Sequence, residues 1–276
     1  MTTIQKVIKI CAIGFAVFLI VNILSFIMMA LGFAVSFSAS GNVKGEDFSY
    51  SYDENIEKVK IDLSTSNLVI ETGEKFQVDV KNVSSRFSSK VKNGTLIVEE
   101  SGRWFFTSRV HGKIIITVPK DTLLNSLDID SGAGRIEIVD IESSKFDLDQ
   151  GAGSIIIRDS SFDKTSIDGG AGEIIVSSST LNNLSLDAGV GRIKMEASIL
   201  GNSDIECGVG EIDITLLGQE EDYQLNLEKG LGSLEVNGKG YSNQSTYGSG
   251  ENRINIEGGV GSISVSFQKN NQEGTF

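Results

Sequence analysis

Proline is almost missing from this chain. Its 276 residues include one Pro, one His, one Trp and two Cys. So little proline excludes Pro-rich disorder and polyproline linkers. His111, with no nucleophile assignable to it, supports neither a catalytic triad nor a histidine metal site. Cys11 lies early in an apolar run and Cys207 is the only cysteine after it, so no disulfide is expected within the rest of the chain, and stability must come from packing. Basic charge is short as well. The 24 Lys and Arg face 37 Asp and Glu, a formal net charge of −13, which argues against a partner built on phosphate backbones.

What the chain does contain begins with a run of 28 residues, 10–37, without a formal charge. A secretory signal has an apolar core of only about 7 to 15 residues, so this stretch reads as one transmembrane helix rather than a cleaved leader, although the small residues of "FSAS" (37–40) would suit cleavage. Lys6 and Lys9 precede it and the acids Glu46, Asp47 and Asp53 follow, so residues 1–9 are expected in the cytoplasm and the remainder outside the cell. Cys11 stands too near the start for a lipoprotein cysteine. Without the two anchor lysines, 22 basic residues oppose 37 acidic ones, a net of −15. Nucleic acid and anionic lipid heads are thereby disfavoured as partners, and cationic partners remain. Residues 38–49 read as a linker.

Glycine is abundant and periodic. "DSGAGRIEIV" at 130–139 returns as "DQGAGSIIIR" at 149–158 and "DGGAGEIIVS" at 168–177. The Gly-x-Gly doublets start at residues 132, 151, 170, 189, 208, 230 and 259, the first five at a constant interval of nineteen. Two and four residues after each doublet stand apolar residues, Ile136 and Ile138 in the first repeat and Ile193 and Met195 in the fourth, which marks a strand with one buried face. Three residues before each doublet stand Ile129, Leu148, Ile167, Leu186, Ile205, Leu227 and Ile256, a second buried position on a second strand. The residue inside the doublet is always apolar yet breaks the period of two, so the chain turns a corner there. Glycine supplies the positive φ such a corner needs. The expected fold is all-β, a single parallel β-solenoid of Gly-x-Gly coils over 132–267, with an irregular β cap over 50–131 and a disordered tail at 268–276. A Rossmann or P-loop reading fails, because no third glycine, no Gly-Lys-Ser/Thr and no amphipathic helix follows any doublet.

Within the cap, "IDLSTSNLVIETG" (61–73) is a degenerate coil, with Ile61, Leu68 and Ile70 in the buried places and Ser-Thr-Ser in place of the doublet. "KFQVDV", "GTLIVEE" and "KIIITVP" read as further strands. On these residues, together with the junction "ITVPKDTLLNSLDIDSGAGRIEI", residues 50–267 resemble the bacterial β-strand-repeat proteins of unknown function named as candidate adhesins, which include membrane-anchored LiaG-like envelope proteins. The resemblance implies a β-helical stack outside the membrane and carries over no catalytic residues.

Several residues are candidates for chemistry. Asp130, Asp149, Asp168, Asp187, Glu206, Glu228 and Glu257 stand two before each doublet, with Asp62 equivalent in the degenerate coil. Neighbours in such a column lie about 4.8 Å apart, where unit charges repel by roughly 0.9 kcal/mol even in water. The carboxylates are expected to face solvent or to accept N–H groups at their own corners. A file of calcium ions is the alternative, opposed by the order of residues, since the known calcium nonapeptide places its Asp after the glycines. Glu173, Arg192 and Glu211 should form a charge ladder. Trp104, Phe105 and Phe106 form an aromatic cluster, and Tyr241 and Tyr247 lie on a Gly- and Ser-rich insertion (237–252). Either group could contact a partner, and core packing or a free excursion are the competing readings.

The sequence therefore points to a non-enzymatic, single-pass cell-envelope protein whose outer domain serves interaction, adhesion or sensing. Its partner is expected to be an envelope protein, a surface polymer or its own copy, and no cofactor is expected. A polysaccharide-cleaving β-helix enzyme and a calcium-binding structural solenoid are the alternatives. A uniform acidic column offers no acid and base with distinct environments, which counts against the first.

Overall fold

The structure is a computed structural model that describes residues 45–83, 86–100 and 112–268. The expected span at 10–37, the trio Trp104, Phe105 and Phe106, His111 and the tail beyond Gln268 lie outside the described residues. Among those described, no helix is long and apolar enough to cross a membrane.

The fold is all-β. In chain order the strands are β1 (Glu46–Tyr52), β2 (Lys58–Leu63), β3 (Asn67–Gly73), β4 (Phe76–Val83), β5 (Phe87–Lys92), β6 (Thr95–Glu100), β7 (Lys113–Pro119), β8 (Leu123–Leu124), β9 (Ser126–Val139), β10 (Glu142–Ser143), β11 (Phe146–Arg158), β12 (Ser161–Phe162), β13 (Thr165–Asn182), β14 (Leu184–Leu200), β15 (Asn202–Leu217), β16 (Tyr223–Val236), β17 (Lys239–Gly240), β18 (Gln244–Gly248) and β19 (Asn252–Gln268). A 3₁₀ turn at Glu220–Asp222 precedes β16. The aliphatic alternation makes the strands, and the glycine doublets fall inside the long ones, where they bend the strand without ending its pairing. β1 starts inside the stretch read as linker, because "EDFSYSY" alternates aromatics rather than aliphatics.

The nineteen-residue interval is a register. β9, β11, β13 and β14 pair in parallel so that Ile129, Leu148, Ile167 and Leu186 stack, and so do Ile136, Ile155, Ile174 and Ile193. β15 continues the stack with Ile205 and Ile212. The first column is at most 3 % exposed throughout, and each such aliphatic contributes about 1.5–3 kcal/mol on burial. Each repeat also has a third side that the sequence reading missed. On it β8, β10, β12 and the end of β13 stack Leu124, Ser143, Phe162 and Leu181. Two-residue strands in a mixed column leave no periodic signal. Phe162 stacks on Phe146 at 4.4 Å between ring centroids. The bend into this side uses Asp140 and Asp159 at φ 58° and 51°, a left-handed conformation that Asp tolerates better than most residues.

The degenerate coil packs as expected, with Ile61 beside Ile129, Leu68 beside Ile136 and Ile70 beside Ile138. At both ends, however, the rungs leave chain order. β2 and β3 lie between β9 on one side and β6 and β7 on the other, so the outermost N-terminal rung is made by residues that come later in sequence. At the other end β19 lies between β15 and β16. The C-terminal coils are thus exchanged relative to the sequential stack expected from the repeat. The reason is the insertion: β18 covers the outer edge of β16 in antiparallel fashion, so β16 offers only its inner edge, and β19 takes that edge together with the free edge of β15.

Both ends are closed by antiparallel strands and aromatic rings. β4 pairs with β7, β1 with β4 and β5 with β6. Phe48 and Tyr50 of β1 meet Phe87 of β5 at 6.3 and 6.2 Å between centroids. At the C-terminal end β17 and β18 flank β16, and Tyr223, Tyr241, Tyr247 and Phe267 pack together there. Covering the end rungs removes the flat open edges that would otherwise recruit further strands.

Candidate functional site

The most regular surface lies along the glycine corners. The second glycine of each doublet has φ between 137° and 152°, and a Cβ on Gly191 would sit 1.7 Å from the carbonyl oxygen of Gly172 in the next rung. Conformation and close stacking therefore both require glycine there. The first glycine is pressed too, since a Cβ on Gly189 would lie 2.5 Å from Gly170 O. Two strips without side chains result, one on each side of the residue inside the doublet.

That inner residue points outward. The stacked order is Ala133, Ala152, Ala171, Val190, Val209, Val260, Leu231. Val190 is 56 % exposed, Val209 48 %, Val260 47 % and Leu231 74 %. The sequence marked this position as apolar and as a corner without showing that it faces solvent. Its breaking of the alternation was the available signal.

Beside the ridge runs the acidic column. Register places Asp62, Asp130, Asp149, Asp168, Asp187, Glu206, Glu257 and Glu228 in one file, with Glu257 between Glu206 and Glu228 because of the rung exchange. Glu99 of β6 extends the file beyond Asp62, which the sequence reading did not foresee. All but Glu99 are exposed. Glu99 pairs with Lys90 at 3.3 Å, and Glu228 accepts a bond from Gln244 Nε2 at 3.3 Å. Among the described residues, none of Asp130, Asp149, Asp168, Asp187, Glu206 and Glu257 has an ion pair or a hydrogen bond to a backbone N–H. The corner amides are instead committed to the neighbouring rungs, as Ala133 N is to Ser64 O at 3.0 Å. Of the two quiet roles expected, the carboxylates take the solvated one. Partial burial and the charges of Asp168 and Asp130 push the Asp149 carboxyl above its ordinary range. The charge of Asp187, then burial, Glu257 and Asp204 do the same to Glu206. Among the described residues, no group of three or more His, Cys, Asp or Glu side chains is arranged to hold a metal ion.

On the other flank of the ridge the charge ladder forms. Arg192 bonds Glu211 through Nε at 3.0 Å and reaches Glu173 at 3.9 Å. All three are exposed enough that the ladder sets register more than it stabilises. A shallow notch beside the ridge is lined by Gln150, Gly169, Ala171, Ala188 and Val190. Cys207 lies under the corner, and burial raises its thiol pKa, so it is an inert packing residue.

Tyr241 and Tyr247 are brought together edge to face at 6.0 Å, and Tyr247 stacks on Phe267 at 6.0 Å. The Tyr247 hydroxyl donates to Glu220, and that hydrogen bond, followed by burial and the charge of Glu220, raises the phenol pKa. The loop is therefore no free excursion: its tyrosines close the end of the core and remain part-exposed.

A family model described as Toastrack DUF4097 matches residues 56–272. The chain belongs to the Toastrack family. Similar solved structures include a candidate cell adhesion protein from Clostridium sporogenes (16 % identity, 82 % of this chain, 100 % of that chain, TM-score 0.38). A candidate adhesin from Bacteroides fragilis is another (15 %, 80 %, 97 %, 0.41). A candidate lipid-binding protein from Parabacteroides distasonis is a third (14 %, 83 %, 98 %, 0.44). No curated protein matches the chain. In this Toastrack domain the chemistry repeated in each rung, an acid two residues before a glycine and then an aliphatic and a second glycine, forms a long surface of like groups.

Proposed function

We propose that this Toastrack protein is a non-enzymatic interaction module of the bacterial cell envelope. Its rungs wind as a parallel β-solenoid, and the uncharged run at 10–37 holds that domain outside the cell membrane, with residues 1–9 in the cytoplasm. The observation that carries this reading is the surface along the corners: rows of like-charged and of apolar exposed groups on consecutive rungs suit recognition of an extended partner, whereas catalysis needs different groups converging on one point. The acidic face fits a cationic partner and disfavours phosphate polymers. Two measurements test the proposal. Protease added to intact cells should cut the outer domain and leave residues 1–9 untouched, and cross-linking on those cells should join the chain to a second envelope component. Degradation only after lysis would overturn the placement. Release of oligosaccharide from wall polymer by the purified chain, abolished by one Asp substitution and by no neighbouring one, would overturn the non-enzymatic reading.

A further inference from the structure

The apolar ridge is not uniform along its length. Three alanines make a low half, and Val190, Val209, Val260 and Leu231, on four consecutive rungs, make a tall half. These four are the exposed large aliphatics of the corner column, and a contiguous exposed apolar feature on an otherwise acidic surface marks a contact site. The tall half spans about 14 Å at the usual strand spacing. Asp187, Glu206, Glu257 and Glu228 flank it on one side, and the first three have no cationic partner among the described residues. On the other side Arg192 is neutralised by Glu173 and Glu211.

This layout restricts the shape and the charge of what can cover it. A partner lying along the ridge must present an apolar stripe with a cationic row on one flank only. A strand running in that direction places alternate side chains on opposite faces, so it cannot set the two rows side by side. A helix can, because its i, i+3 and i+4 positions form adjacent rows. The glycine strips complete the fit: carrying no side chains of their own, and crossed in the tall half by Lys229, whose ammonium bonds Gly232 O at the Leu231 end, they let two rows of a helix straddle the ridge and settle beside it, as ridges settle into grooves between helices. A helical turn advances about 5.4 Å against about 4.8 Å per rung, so the two stay within about 2 Å over four rungs. A second copy of this chain fits poorly, since it would bring its own acidic file to the same place.

We infer that the ridge of Val190, Val209, Val260 and Leu231 docks an amphipathic helix of a partner protein, its apolar stripe on the aliphatics and a Lys/Arg row on Asp187, Glu206, Glu257 and Glu228. The inference rests on reading the domain as an interaction module and names the class of partner. The interface is small, so affinity is expected in the micromolar range.

The test uses the full chain and a synthetic helical peptide of about four turns with a leucine stripe and lysines along one flank, binding being read by fluorescence anisotropy. The wild-type chain should bind it. The double variant Val209→Ser/Leu231→Ser, at exposed sites and with an unchanged melting temperature, should bind at least tenfold more weakly. Glu206→Gln/Glu257→Gln should weaken binding about threefold or more and flatten its salt dependence. Equal binding by the Val209→Ser/Leu231→Ser variant, equal binding of a peptide with serine in place of leucine, or equal binding of a glutamate-flanked peptide would each overturn the inference. So would self-association of the wild-type chain that the ridge variant abolishes. Failure here leaves the module reading to the cell-surface cross-linking, and an empty cross-link with intact peptide binding would overturn that reading alone.

Discussion

The middle of the domain and its two ends solve the same problem in different ways. From β9 to β15 each rung is covered by the next in chain order, and one pattern repeated at nineteen residues is enough. At the ends there is no next rung. There the chain turns back, exchanges the order of two rungs and adds antiparallel strands with aromatic rings. Interior stability is thus a property of a column, whereas stability at the ends is a property of individual large side chains.

Substitutions can break that distinction. The largest effect is expected for Ile174→Asp in the middle, which buries a carboxylate at a site 4 % exposed and should cost several kcal/mol, with coupled loss of the neighbouring rungs. Its half-exposed neighbour Glu173→Ser should change the melting temperature little. Equal thermal scans of the two variants would refute the register. Gly191→Ala should cost about 3 kcal/mol or more, because it combines a φ of 150° with a 1.7 Å approach, whereas Gly240→Ala, which meets nothing within 4 Å, should stay within about 0.5 kcal/mol. Denaturant midpoints compare them.

At the C-terminal end, Tyr223→Ala removes a buried ring whose hydroxyl donates to Leu217 O at 3.0 Å, and should cost about 3–5 kcal/mol. Hydrogen exchange should then rise in β16, β18 and β19 and remain slow in β9 to β13, in contrast to the spread of damage from Ile174→Asp. The smallest effect concerns pH. The folded-state pKa values of Asp149 and Glu206 are raised above their ordinary values, so the folded domain takes up these protons before the unfolded chain does. Stability contributed by the protonated forms is present at low pH and is lost as pH rises through the folded values. Asp149→Asn should therefore raise the melting temperature at pH 7 by about 1–2 °C, and the gain should vanish at acidic pH. Millimolar calcium should leave that temperature nearly unchanged; a rise of about ten degrees would support the calcium alternative instead.

Where each rung repeats its neighbour, the sequence was readable: the columns headed by Ile129 and Ile136, the acidic file and the Arg192 ladder all follow from counting residues. The third side escaped because Leu124, Ser143, Phe162 and Leu181 mix aliphatic, hydroxyl and aromatic side chains, and three of the four lie in strands of only two residues. The exchange of β16 and β19 escaped because both carry the same motif, so pattern alone assigns them a register and no order. Only the longer intervals of 22 and 29 residues before their doublets marked the place. The ridge escaped for a third reason, since apolar residues are counted as core until geometry shows which way a corner points.

The exchanged rungs also determine how the domain should respond to force. In a sequential stack, tension on a chain end peels one rung at a time, each by breaking a single interface. Here β1, bonded to β4 alone, gives way first on the N-terminal side, but β2 with β3 and β19 are each clamped between two neighbours, so freeing them must shear two hydrogen-bonded faces at once. Single-molecule extension should show this as a high rupture once β1 is released, followed by weaker, evenly spaced events as the ordered middle unravels. In a domain sewn this way the clamped rungs set the force at which unravelling begins, and the total work of unfolding does not.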